Sequence, residues 1–127
     1  MGYKILLVED DEFLSDIYST KFRNAGFEVD VAKDGASGLQ KVREEKPNAV
    51  LLDIVMPRMD GFEVLHSIRQ ISDLAGVKVV MLSNLGQQED VEKGMKLGAD
   101  AYIIKAHNTP TEVVAKVKEL LNASARG

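Results

Sequence analysis

Asp53 is a lone carboxylate at the end of the apolar run Val50-Leu51-Leu52, and a turn rich in Pro, Asp and Gly (Pro57, Asp60, Gly61) follows it. The run Ile5 to Val8 stops on Glu9-Asp10-Asp11, Val77 to Leu82 stops on Ser83-Asn84, and Ala101 to Ile104 delivers Lys105. Open parallel sheets bind ligands at the carboxyl ends of their strands, so these groups are expected to meet in one site. Glu9, Asp10 and Asp53 would then crowd three negative charges together, each pair repelling by ~4 kcal/mol at about 4 Å and an effective dielectric near 20. An all-oxygen set without histidine or thiolate suits a hard cation, and a shallow, water-retaining site suits Mg²⁺ better than Ca²⁺. A carboxylate bridged to such an ion can attack phosphorus and form an acyl phosphate, with Lys105 as a second cation and Ser83 as a donor to a phosphoryl oxygen. Glu9-Asp10-Asp11-Glu12 alone reads equally well as a solvated acidic first turn. Asp53 resists that reading, because Asp60 is available to start the helix that follows.

The elements that must position these groups are legible from spacing. Lys4 to Val8 is continuously apolar, as a strand covered on both faces is. Phe13, Leu14, Ile17, Tyr18 and Phe22 form a helical stripe ending at Gly26. Phe27 to Val31 alternates apolar with charged, which predicts a half-wet strand at a sheet edge. Asp34 can cap a helix carrying Ala36, Leu39 and Val42, finished before Pro47. The third strand is Ala49 to Asp53. Asp60 caps a helix with Phe62, Leu65, Ile68 and Ile71 on one side, broken by Gly76, and Val77 to Leu82 is the fourth strand. Gln87 to Leu97 is the weakest helix, since Gly94 inside it costs about 1 kcal/mol relative to Ala. After the fifth strand, Ala101 to Ile104, Thr109-Pro110-Thr111-Glu112 forms a capping box for a helix with Val113, Val114, Val117, Leu120 and Leu121. Alternating strands and helices imply an α/β, doubly wound (βα)5 flavodoxin-like fold with the parallel order 2-1-3-4-5, which places Asp10 beside Asp53. Residues 1–122 are expected to form one domain and 123–127 a disordered tail or linker stub.

At 127 residues, with net charge −4 and no cysteine, the chain excludes a disulfide framework and a thiolate metal site. It carries no polybasic run, so direct nucleic-acid binding is not expected, and no apolar stretch approaches the roughly 20 residues of a membrane span. A cytoplasmic location is the expectation.

Four segments together resemble the receiver domain of bacterial two-component response regulators: Ile5-Leu6-Leu7-Val8-Glu9-Asp10-Asp11, Leu52 to Gly61, Met81-Leu82-Ser83, and Gly98 to Lys105. The resemblance implies that Asp53 is the phospho-acceptor, that Glu9 and Asp10 are the acid pair, and that the Val55 backbone carbonyl is a further Mg²⁺ ligand. It also implies that Ser83 is the switch hydroxyl, Tyr102 the aromatic that turns inward after phosphorylation, and Lys105 the family's base. Asp11 falls outside the pair and is left as a helix-start residue, and His66 and His107 as surface residues. Two positions depart from the family pattern. Ala106 follows Lys105 where proline, often cis, is usual, and Asn84 follows Ser83 where the residue is usually small. Val55 and Leu85 are apolar where relatives can hold a water for dephosphorylation, which implies a slowly decaying phosphoryl group.

The implied function is a phosphorylation switch rather than an enzyme, although it assists its own phosphoryl transfer and slow autodephosphorylation. It would take a phosphoryl group from a histidine kinase or histidine phosphotransfer protein and act on a downstream protein, as a monomer or a phosphorylation-dependent dimer. The rival reading is a phosphorylation-independent, receiver-like protein-binding module. A phosphohydrolase would want an acid where Val55 stands, and a flavin protein a phosphate-binding loop after the first strand.

Overall fold

The computed structural model of the chain describes residues 2–126, with side chains through Ala123. Five parallel strands, β1 (Lys4–Val8), β2 (Glu28–Ala32), β3 (Ala49–Leu52), β4 (Lys78–Ser83) and β5 (Ala101–Ile104), lie in the order β2-β1-β3-β4-β5. Five helices connect and follow them: α1 (Glu12–Asn24), α2 (Gly35–Glu45), α3 (Gly61–Arg69), α4 (Gln88–Lys96) and α5 (Pro110–Arg126). This is the doubly wound arrangement expected from the alternating pattern, and the half-wet β2 is at the edge.

Because successive strand residues face opposite sides, the apolar runs feed two cores. Ile5, Leu7 and Leu51 pack with Phe22, Val113 and Val117 of α1 and α5. Leu6, Val8 and Leu52 pack with Val42, Leu65 and Ile68 of α2 and α3. Strands buried on both faces cannot alternate with polar residues, which is why β1, β3 and β4 read as unbroken apolar segments.

Helix entries follow their caps. The Asp11 and Asp34 carboxylates accept from the N–H groups of Leu14 and Ser37, and Asp60–Glu63 and Thr109–Glu112 close reciprocal capping boxes. Four details differ from the expectation. Phe13 heads the α1 stripe but is 72% exposed, while Ser15 and Ser19 are buried beside Tyr18 and Phe22. Ala36 is exposed, and α2 instead turns Gly35, Gly38 and Val42 inward; a Cβ on Gly38 would lie 2.9 Å from the Val8 side chain, so the close helix-to-strand approach selects glycine. Helix α3 ends at Arg69, well before Gly76, because a 3₁₀ turn over Ser72–Leu74 drives Leu74 into the core. Helix α5 continues as backbone through Arg126; of the expected tail, Gly127 and the side chains of 124–126 lie outside the described residues.

At the amino ends of β4 and β5 a single guanidinium joins three segments. Arg69 donates from Nε to the Gly98 carbonyl, from Nη1 to the Val77 carbonyl and from Nη2 to the Asp100 carboxylate, each at 2.9 Å. Asp100 also accepts from the Val79 N–H at 2.9 Å.

Candidate functional site

The carboxyl ends of β1, β3, β4 and β5 form an open cleft lined by Glu9, Asp10, Asp53, Val55, Ser83, Asn84, Leu85 and Lys105. Parallel pairing in register sets this up: Val8 stands beside Leu52, and Ser83 beside Ile104, so the next residues emerge along one rim. Glu9, Asp10 and Asp53 each offer a carboxylate oxygen, and these oxygens all lie within 4.8 Å of one another. Glu9 is 2% exposed and Asp53 8%, whereas Asp10 is open to solvent.

Lys105 reaches across from the end of β5, its ammonium 2.5 Å from Glu9 Oε1 and 3.1 Å from Asp53 Oδ2. Burial raises the pKa of the Glu9 carboxyl above the usual carboxylate value, against the lowering effect of hydrogen bonds from Lys105 and the Asp11 N–H. Burial pulls the Lys105 pKa down, but the Glu9 hydrogen bond and the Asp53 and Glu9 charges outweigh it and leave the pKa raised. A buried ammonium held between two acids stays charged, and its charge is aimed where additional negative charge would arrive. The other Asp53 oxygen, Oδ1, accepts the N–H of Ile54 at 2.7 Å, which fixes the carboxylate plane.

The turn after Asp53 folds back onto the strand end. The Gly61 N–H donates to the Ile54 carbonyl at 2.9 Å, and a Cβ at Gly61 would stand 2.2 Å from the Asp53 carbonyl oxygen. Glycine is required there by close approach to the residue that carries the central carboxylate. Nothing in the sequence around Gly61 signals that approach.

Ser83 is buried, and its hydroxyl accepts the Leu85 N–H at 3.3 Å. Tyr102 is half-buried, with its hydroxyl donating to the Leu85 carbonyl. The ring packs against the core cluster that includes Met81. Burial, then the Asp90 and Asp53 charges, push its phenol up to about 12. Among the described residues every peptide bond is trans, so Lys105 enters the site through a trans bond to Ala106, from a 3₁₀ turn over Lys105–His107. Asn84 Oδ1 accepts the Ala106 N–H at 3.0 Å, so the two departures from the family pattern touch each other. His66 and His107 are exposed and do not line the cleft. The Leu85 carbonyl was invisible to sequence reasoning, because a backbone acceptor has no residue signature.

A site of three oxygen ligands with an open, solvated Asp10 fits a hexacoordinate hard cation that keeps several waters. Among the described residues no helix is long and apolar enough to cross a membrane.

The family model for the response regulator receiver domain matches residues 5–118. A transcriptional regulatory protein CpxR homolog of Haemophilus influenzae is 40% identical over 122 residues, 96% of this chain and 52% of that protein. The DNA-binding dual master transcriptional regulator RpaA of Synechocystis is 35% identical over 123 residues, 97% of this chain and 51% of its own length. This chain thus spans about half the length of these curated relatives. A CheY-like response regulator receiver domain protein of Methanospirillum hungatei superposes with a TM-score of 0.91 at 31% identity, covering 99% of this chain and 98% of that one. With the family model matching most of its length, and with strand order and topology in agreement, this chain belongs to the response regulator receiver domain family of two-component systems.

Proposed function

We propose that Asp53 accepts a phosphoryl group from a histidine kinase or histidine phosphotransfer protein, and that the resulting charge switches a partner-binding surface. The observation that carries this reading is the Lys105 ammonium bridging Glu9 and Asp53 beside the three-carboxylate cluster. An Asp53 carboxylate oxygen attacks phosphorus, the O–P bond forms as the donor's N–P bond breaks, and the leaving imidazole takes up a proton. Glu9, Asp10, Asp53 and the Val55 carbonyl would hold Mg²⁺, whose charge offsets that of the phosphoryl oxygens. Lys105 would receive a phosphoryl oxygen, a role supported by its ammonium lying 3.1 Å from Asp53 Oδ2. The Ser83 hydroxyl, bonded only weakly within its own turn, is free to turn toward the new group. Tyr102 then reports that movement through the Leu85 carbonyl.

The surface that changes is made by α4, β5 and α5, and the output we propose passes through protein contact. With net charge −4 this stretch is poorly suited to a nucleic-acid backbone, although the relatives named as transcriptional regulators are about twice as long. A cytoplasmic site of action follows from the kinase partner. Domain limits of 1–122 are part of the same proposal.

Incubation with acetyl phosphate and Mg²⁺, read by intact mass, tests the acceptor. One phosphoryl group should add to the parent, none should add to Asp53→Asn, and EDTA should suppress the reaction. An adduct that survives Asp53→Asn would refute the assignment, and no adduct on the parent would favour the phosphorylation-independent binding module. Val55 and Leu85 line the cleft with apolar side chains, so the adduct should outlast a chase by minutes or more. A lifetime of seconds would overturn that part.

A further inference from the structure

Ser83, Asn84 and Leu85 are consecutive, and the last two are tied to different residues around the end of β5. The Leu85 carbonyl holds the Tyr102 hydroxyl, and Asn84 Oδ1 holds the N–H of Ala106, the residue directly after Lys105. The other hydrogen bonds on this turn come from the α5 side: Asn108 Nδ2 donates to the Ile104 carbonyl at 2.9 Å, and its N–H to the Lys105 carbonyl at 3.3 Å. Asn84 is therefore the side chain that fastens the Lys105 turn to the β4 side, among the described residues. Its bond depends on the residue at 106 having an N–H, which a proline lacks. A proline there would also disfavour the helical backbone of Lys105, which opens a 3₁₀ turn.

We infer that Asn84 is the positioning residue for Lys105, setting by one backbone hydrogen bond the reach of the ammonium to Glu9 and Asp53. The inference rests on the phospho-acceptor reading above for its chemical consequence, though not for its geometry. Lysine has four rotatable side-chain bonds, so an ammonium that must meet two buried carboxylates at once needs a fixed origin. Asn84 supplies that origin from the rim of the cleft, through its bond to the Ala106 N–H. Because it is bonded to Ser83 along the chain, any displacement of Ser83 toward a phosphoryl group pulls on the same turn.

Three variants separate the hydrogen bond from mere bulk: Asn84→Leu keeps the size and loses the acceptor, Asn84→Ala loses both, and Asn84→Asp keeps the acceptor. Asn84 is exposed, so all three are expected to fold, and thermal melts check this. In the unphosphorylated protein, NMR should find Ala106 amide exchange faster by about fivefold in the leucine and alanine variants, the size of change one ordinary hydrogen bond corresponds to. Their Lys105 ammonium resonance should broaden, and the aspartate variant should retain Ala106 protection. Acetyl phosphate labelling of Asp53 should slow by a similar factor in the leucine and alanine variants while the melting temperatures stay close to the parent. Unchanged Ala106 exchange in Asn84→Leu would overturn the inference, as would faster exchange with an unaltered Lys105 resonance, or loss of protection in Asn84→Asp. If the resting-state responses hold while the parent takes up no phosphoryl group, the positioning stands and the phospho-acceptor reading fails.

Discussion

Asp10 differs from the two acids beside it in lying open to water, and this gives it a separable signature. In EDTA it repels Glu9 and Asp53, and at the dielectric of water two like charges about 4 Å apart cost about 1 kcal/mol. Asp10→Asn is therefore expected to raise the melting temperature by a few degrees without metal. Mg²⁺ should further stabilise the parent, as any ligand of the native state does, and should stabilise the variant much less. Melts with and without Mg²⁺ decide it; equal metal-induced shifts in both proteins would remove Asp10 from the site. Glu9, Asp10, Asp53 and Lys105 were legible because they stand just past the ends of uninterrupted apolar runs, and parallel strands leave such residues on one rim. The contribution of Asn84 was not legible, since its partner is a backbone N–H twenty-two positions away that carries no side-chain signal.

At the scale of elements, α4 looked weak because of Gly94, and the structure gives that glycine a use. Gly94 is buried, and a Cβ there would lie 3.2 Å from the Tyr102 ring and 3.5 Å from the Met81 side chain. The missing side chain makes room for the inward tyrosine. Gly94→Ala should gain about 1 kcal/mol of helix propensity, offset by crowding, so stability changes little. The ring is expected to give by a few tenths of an ångström instead, loosening its hydroxyl's bond to the Leu85 carbonyl. Tyr102 should then ionise at lower pH than in the parent, followed with ¹³C-labelled tyrosine by NMR; an unchanged titration would show that α4 yields rather than the ring. Helix existence was readable from caps and stripes at Asp11, Asp34, Asp60 and Thr109. Which side of a helix is buried was less so: Phe13 and Ala36 face solvent, while the buried faces of α1 and α2 include Ser15, Ser19, Gly35 and Gly38, small residues that leave no mark in an apolar stripe.

For the molecule as a whole, acid stability carries a trace of the sheet edge. Partial burial of Asp30 on β2 would raise its pKa, but hydrogen bonds from the Lys41 ammonium at 2.9 Å and the Val31 N–H at 2.8 Å hold it down at about 2. A carboxylate depressed in the folded state contributes stability above its unfolded pKa, near 3.9, and loses that contribution as pH falls toward the folded value. The advantage of the parent over Asp30→Asn, less than about 1 kcal/mol for so exposed a pair, should be present at pH 5 and close between about pH 4 and 2 in urea titrations. A gap that widened in acid would contradict the ion pair. The opposite rim explains where the fold can yield. Arg69 clamps the incoming ends of β4 and β5 through the Val77 and Gly98 carbonyls and Asp100, whereas their outgoing ends carry Ser83 and Lys105 to the floor of the open cleft. Two strands rooted at one end and held at the other by bonds that a new charge in the cleft can redirect behave as cantilevers, so a force applied at the tips bends the surface above them while the base stays put.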